Sequence, residues 1–135
     1  MSLITWTKEQ FGTTVSKHDQ EHQQLFDLLN NLHDAAGAGN RATTGAALDA
    51  LITCVVNHFA SEESNMKAID YAGFAAHKEA HDKLVATCAD LQKKFHAGQA
   101  EITTDTTQFV KDWLCGHIPT VDFLYGPPMN THGMG

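Results

Sequence analysis

Two histidine-bearing stretches constrain this chain more than any other feature: His58-Phe59-Ala60-Ser61-Glu62 and His77-Lys78-Glu79-Ala80-His81. In each, two side chains able to bind a metal stand four residues apart. At ~3.6 residues per turn, positions i and i+4 lie one above the other on a helix, so a helical stretch aims both at one point. His22 stands alone before them, and His117 and Asp122 form a looser third pair. Five imidazoles and two carboxylates exceed the four ligands that a tetrahedral zinc takes. They suit two octahedral first-row metals bridged by the carboxylates.

The apolar period predicts four helices that carry these residues. The first runs from Lys17 or Asp19 to Ala36, with Ser16 as N-cap and Asp19 completing an imperfect capping box. Its stripe is Leu25, Phe26, Leu29 and Leu32, extended one turn upward by His22. Gly37-Ala38-Gly39-Asn40 ends it. The second spans Thr44 to Ala68 and is striped by Leu48, Leu51, Ile52, Val55, Phe59 and Met66. The third, Tyr71 to Ala97, has the cleanest period: Phe74, His77, His81, Leu84, Cys88, Leu91 and Phe95. The fourth begins near Thr104-Asp105 and carries Phe109, Val110, Trp113, Leu114 and His117. Gly116 and Pro119 loosen its end, and a short helix restarting in 119–124 would turn Asp122 back toward His117.

Short loops between four such helices favour an all-α, up-down-up-down bundle. The whole chain, 1–135, reads as one domain: an arm at 1–15, the bundle at 16–125 and a tail at 126–135. The arm shows no helical period, and Trp6 and Phe11 are expected to hold it against the bundle. Gly126-Pro127-Pro128 is expected to break all structure and leave the tail mobile.

Antiparallel order gives the ligand positions their meaning. His22 lies near a helix start, His58 and Glu62 near an end, His77 and His81 near a start, and His117 and Asp122 at or beyond an end. Start, end, start and end fall at the same end of such a bundle. Unpaired, each polar side chain in an apolar seam costs ~1–3 kcal/mol, and several would threaten a stability of only ~5–15 kcal/mol. A metal centre pairs them all.

Other histidines carry less. His18 lies one turn above His22, and phase alone does not exclude it as a ligand. His33, His96 and His132 are expected at the surface, Glu63 in solvent, and Glu79 facing outward.

Composition narrows the function. With 16 acidic and 9 basic residues, a net charge of −7 argues against binding nucleic acid or an anionic membrane surface. No apolar stretch approaches the ~20 residues needed to span a bilayer. No signal-peptide pattern opens the chain. Cys54, Cys88 and Cys115, odd in number and far apart, fit reduced thiols in a cytoplasmic protein. His-Glu-x-x-His, the zinc-peptidase pattern, is absent, and so are the Glu-x-x-His pairs of ferritin-like di-iron oxidases.

His22, His58-x-x-x-Glu62, His77-x-x-x-His81 and His117-x-x-x-x-Asp122 together resemble the signature of the hemerythrin family. The similarity runs from Trp6 through Asp122. It includes the Asp-x-x-His start of the first helix, Asp19-Gln20-Glu21-His22, which favours His22 over His18. The resemblance implies two iron ions per chain with an oxo or hydroxo bridge. His77, His81 and His117 would hold one iron, His22 and His58 the other, and Glu62 and Asp122 would bridge them. It implies reversible oxygen binding at the open position of the two-histidine iron, by a carrier or store and not an enzyme. A dry pocket of Leu25, Phe26, Leu29, Phe59, Trp113, Leu114 and Ile118 is expected beside it. Dioxygen would be the ligand, an oxygen-consuming enzyme a transient partner, and the chain a monomer. Rival functions are an oxygen or redox sensor, an enzyme consuming peroxide or nitric oxide, and an iron store.

Overall fold

The computed structural model describes residues 3–135, which form six α-helices and one 3-10 turn. Four long helices make the bundle: α2 (Ser16–Ala38), α3 (Arg41–Ala68), α4 (Phe74–His96) and α5 (Thr104–His117). A single turn, α1 (Lys8–Phe11), precedes them. The 3-10 turn Asp122–Tyr125 and α6 (Gly126–Thr131) follow. α2 packs on α3 and α5, and α3 on α4, in up-down-up-down order.

Local chemistry sets the corners. Gly39 takes a left-handed φ of 75° at the end of α2, a conformation glycine adopts without a Cβ penalty. Asn40 then caps α3, its side chain accepting from the Thr43 N–H at 3.0 Å. Thr103 and Thr106 form a reciprocal capping box at α5. The expected Ser16 cap is replaced. Ser16 is already helical, and Asp19 reaches back to accept from the Thr13 N–H at 2.9 Å and the Thr13 hydroxyl at 2.8 Å.

The arm lies on the bundle. Asn30 of α2 accepts from the N–H groups of Leu3 and Ile4 and donates to the Ile4 carbonyl. Phe11 sits edge-on to Phe26 with ring centres 4.9 Å apart. The tail corrects the expectation of a break at Gly126-Pro127-Pro128, because those residues open α6. The prolines fall in its first turn, where backbone N–H groups have no helical partner to lose. Gly126 is needed there, since a Cβ would come 2.3 Å from the Thr13 carbonyl oxygen. Met129 is fully buried, and Asn130 bonds both the hydroxyl and the carbonyl of Thr14.

Two apolar clusters result. The larger fills the bundle with Leu25, Leu29, Leu51, Val55, Leu84 and Leu114 among others. The smaller one, Val15, Met66, Ile69, Tyr125 and Met129, closes one end. The ligand layer lies where the two meet.

Candidate metal centre

All seven sequence-selected ligands, His22, His58, Glu62, His77, His81, His117 and Asp122, are buried. They come from four helices and the 3-10 turn, which carries Asp122. Their donor atoms form two groups: Glu62, His77, His81, His117 and Asp122 in one, and His22, His58, Glu62 and Asp122 in the other.

The carboxylates divide their oxygens between the groups. Glu62 Oε2 lies 3.3 Å from Nε2 of both His22 and His58, while Oε1 lies 3.3 Å from His81 Nε2 and 3.9 Å from His77 Nε2. Asp122 Oδ2 lies 3.0 Å from His22 Nε2, and Oδ1 lies 2.8 Å from Nε2 of both His77 and His117. Octahedral ligands ~2.1 Å from a cation stand ~3.0 Å from one another, close to most of these separations. Nε2 of His22, His77, His81 and His117, with Glu62 Oε1 and Asp122 Oδ1, is buried and makes no hydrogen bond. Such atoms would each cost a desolvation penalty in a metal-free protein. Imidazole nitrogens and bridging carboxylates converging this way fit a pair of iron ions.

The charges agree. Burial pushes the Glu62 carboxyl up, but His58, His22 and His81 outweigh it and hold the group well below the usual carboxylate range. Asp122 is driven up by burial and by Glu62, and held well down by His117, His22 and His77. Burial disfavours protonated His58, yet the Glu62 charge and the Glu21 hydrogen bond raise it to about 10. Both carboxylates are thus held ionised by the imidazoles around them, a charge balance that a pair of metal ions can take over.

Behind the ligands stand residues that sequence reasoning missed. Glu21 Oε1 accepts from His58 Nδ1 at 3.0 Å. Glu63, expected in solvent, instead accepts from His81 Nδ1 at 2.9 Å. Each carboxylate fixes a ring so that its Nε2 faces inward. Burial raises Glu21, but bonds from His58 and His18 win and lower it to about 2. Tyr125 donates its O–H to Glu62 Oε2 at 2.5 Å and stacks on His77. Its own proton is held firmly: burial, then the charges of Glu62 and Asp122, push the phenol well above its ordinary range. Only the closeness of Glu21 to His22, and of Glu63 to Glu62, hinted at these roles. Helix phase turns both residues ~100° from their neighbours, which concealed them.

His18, left open by phase, is buried but belongs to neither ligand group; it bonds Glu21 and Asn65. His33, expected at the surface, is half-buried and bonded to the Thr107 hydroxyl at 2.8 Å. His96, His132 and Glu79 are exposed, as expected.

A cavity lies beneath the layer, with ≈ 20 Å³ of room for a water-sized sphere and an entirely apolar wall. Leu25, Phe59 and Leu114 of the expected pocket line it, joined by Leu51, Val55, Leu84 and Val110 among others. The rest of the expected set lies outside this wall. Phe26, Leu29 and Ile118 are buried but do not line it, and Trp113 stacks on His117 with ring centres 4.2 Å apart. Phe59 stacks on His81 at 3.7 Å, so cavity wall and ligand layer share an aromatic boundary.

The fold and these residues define a four-helix bundle with a carboxylate-bridged, histidine-rich site for two metals. Comparison with known proteins places it: residues 10–128 match the family model described as the hemerythrin HHE cation binding domain. The chain belongs to the hemerythrin family. It is 61% identical over 127 residues to a bacteriohemerythrin of Methylococcus capsulatus, covering 94% of this chain and 97% of that protein. A hemerythrin of Siphonosoma cumanense is 34% identical, with 85% of each chain covered. A crystal structure of wild-type hemerythrin superposes with a TM-score of 0.94 at 59% identity, covering 95% of this chain and 98% of that one.

Proposed function

We propose that this protein binds dioxygen reversibly at a di-iron centre, as a carrier or store and not as an enzyme. The observation that supports it best is the split of each carboxylate between the two histidine groups, which suits a bridged pair of cations. His77, His81 and His117 are assigned to one iron, His22 and His58 to the other, and Glu62 and Asp122 to both. With one histidine fewer, the second group would leave its metal room for a further ligand. When bound, the iron pair supplies the two electrons that dioxygen takes up and returns.

The protein's part is to hold and to exclude. Glu21 and Glu63 orient His58 and His81. Tyr125 holds Glu62 and, with its proton held so firmly, is a poor general acid. It belongs to the closing cluster and does not line the cavity. The cavity has room for one small molecule, and its apolar wall presents no hydrogen-bond partner. Water needs two to four polar partners to settle in such a space, so the cavity favours an apolar diatomic. A dry site keeps the bound ligand from leaving in a reduced form.

Among the described residues, no helix is long and apolar enough to cross a membrane. The reading places the protein in the cytoplasm, where its three free cysteines stay reduced. It works as a monomer and delivers dioxygen by transient contact with a consuming enzyme.

The test is elemental analysis together with the visible spectrum. Two irons per chain are expected, with a colourless reduced form that colours in air. The colour should fade on deoxygenation without added reductant. Failure to fade in fresh protein overturns the carrier reading, and rapid oxygen consumption with a simple electron donor moves it to an enzyme.

A further inference from the structure

We propose that His18, held by Asn65, is a positioning residue that locks Glu21 onto His58 and so stiffens the two-histidine half of the metal centre. This rests on the site reading above but concerns residues outside its ligand set.

His18 is fully buried, and a buried imidazole is costly unless both nitrogens are paired. Both are. Nδ1 lies 2.7 Å from Glu21 Oε1, and Nε2 lies 3.0 Å from the side-chain nitrogen of Asn65. An amide nitrogen only donates, so Nε2 accepts; the ring proton then sits on Nδ1 and is donated to Glu21. The same Oε1 accepts from His58 Nδ1 at 3.0 Å. One oxygen is therefore gripped from two sides, by a ring in the ligand layer and by a ring outside it.

The grip has a purpose because Glu21 borders open space. It lines a groove between α2 and α3 with Gln24, Thr53, Cys54 and Asn57, and His58 forms part of the groove floor. A carboxylate so placed can trade an imidazole partner for water. Asn65 and His18 remove that freedom. Among the described residues the other half has no such device: Glu63 meets His81 at 2.9 Å, and its further partner is Lys78 at 4.0 Å, half in solvent. The half with fewer histidines thus has the more constrained carboxylate. His18, Glu21 and His58 are close enough to suggest a third metal position. The 2.7 and 3.0 Å separations and the Asn65 contact on the far nitrogen instead make them a hydrogen-bonded chain.

The experiment has two arms. In the metal-free parent, long-range proton–nitrogen spectra of the imidazoles should show His18 as the neutral Nδ1–H form. An Nε2–H form overturns the lock, whatever metal the protein holds. In the second arm, ferrous iron is titrated anaerobically into the parent, His18→Gln and His18→Leu. Glutamine can still donate to Glu21 and accept from Asn65, whereas leucine can do neither. His18→Leu should weaken one of the two irons by about 10–100-fold and leave the other, and His18→Gln should restore most of that loss. Equal affinities in His18→Leu and the parent overturn the proposal. So do equal losses in the two variants, which would mark simple packing. Should His18→Leu fail to fold, the ring form in the parent and the His18→Gln titration decide. A parent that takes up fewer than two irons sinks the site reading, while the ring form still judges the lock.

Discussion

The ligand layer and the cavity beneath it share Phe59 as a wall, yet opposite physics holds them. The layer gathers buried charge: two carboxylates and five imidazoles, with eight buried atoms lacking any hydrogen bond. Its order depends on cations and on a fixed outer ring of Glu21, Glu63 and Tyr125. The cavity faces only apolar surface, and its order depends on the packing of mostly aliphatic side chains from all four long helices. One region leaves buried polar atoms for an occupant to pair, whereas the other is packed so that little fits. Binding a small apolar molecule reversibly needs both, side by side.

The strongest way to break the layer alone is to remove the carboxylate that both groups share. Glu62→Ala takes away one contact from each metal and strands the buried Tyr125 hydroxyl. Both irons should be lost after desalting, and the content should fall from two per chain to near zero. Retention of one tightly held iron would show that the groups are independent, contrary to the split geometry. A narrower cut is His81→Ala, which removes a ligand from one group and orphans Glu63. Iron should fall toward one per chain, with the His22 and His58 side retained.

The cavity is broken by Leu114→Ala, which enlarges it without touching a ligand. Such a truncation should cost about 2–5 kcal/mol of stability, measured by denaturant unfolding of the metal-loaded protein. Iron content should stay at two. The oxygenated colour should decay faster to a form that deoxygenation does not reverse, because a loosened wall lets water pass from outside to the layer. Unchanged decay would show that the cavity does not protect the site.

The same contrast explains what was legible in the sequence. Most of the seven candidate ligands stood out because they interrupt an apolar seam, where helix phase makes a polar residue conspicuous. Asp122, in its 3-10 turn, was reached instead through its spacing from His117 and the family signature. Glu21 and Glu63 carried no such mark. They lie off the seam, and only the approach of neighbouring helices brings them to His58 and His81. The tail was misread for a related reason. Gly126-Pro127-Pro128 is a breaker by local rule, but Thr13 packs against Gly126, and the prolines fit a first turn. The cavity wall was legible only in part, because nearness to a ligand in the sequence does not tell which apolar side chains leave a space.

The smallest expected effect sharpens the comparison through pH. In the metal-free protein the folded His58 is raised from 6.5 to about 10. Its contribution to stability is therefore complete below pH ~6.5 and disappears as pH rises through ~10. Glu21 is lowered from 4.5 to about 2, so its contribution holds above pH ~4.5 and is lost as pH falls through ~2. The melting temperature of the metal-free protein should thus decline by a few degrees from neutral pH toward 10.5. In the loaded protein His58 has exchanged its Nε2 proton for a metal, so that alkaline decline should vanish. Loading at pH 7 should also release the proton, a change that a weakly buffered indicator can follow. Leu114→Ala offers the control, since the cavity wall holds no histidine or carboxylate and burial pushes its one thiol, Cys88, up. It should lower the metal-free curve at every pH by the same amount and leave its shape alone. A decline that survives loading would mean that His58 keeps its proton with metal present and is not a ligand.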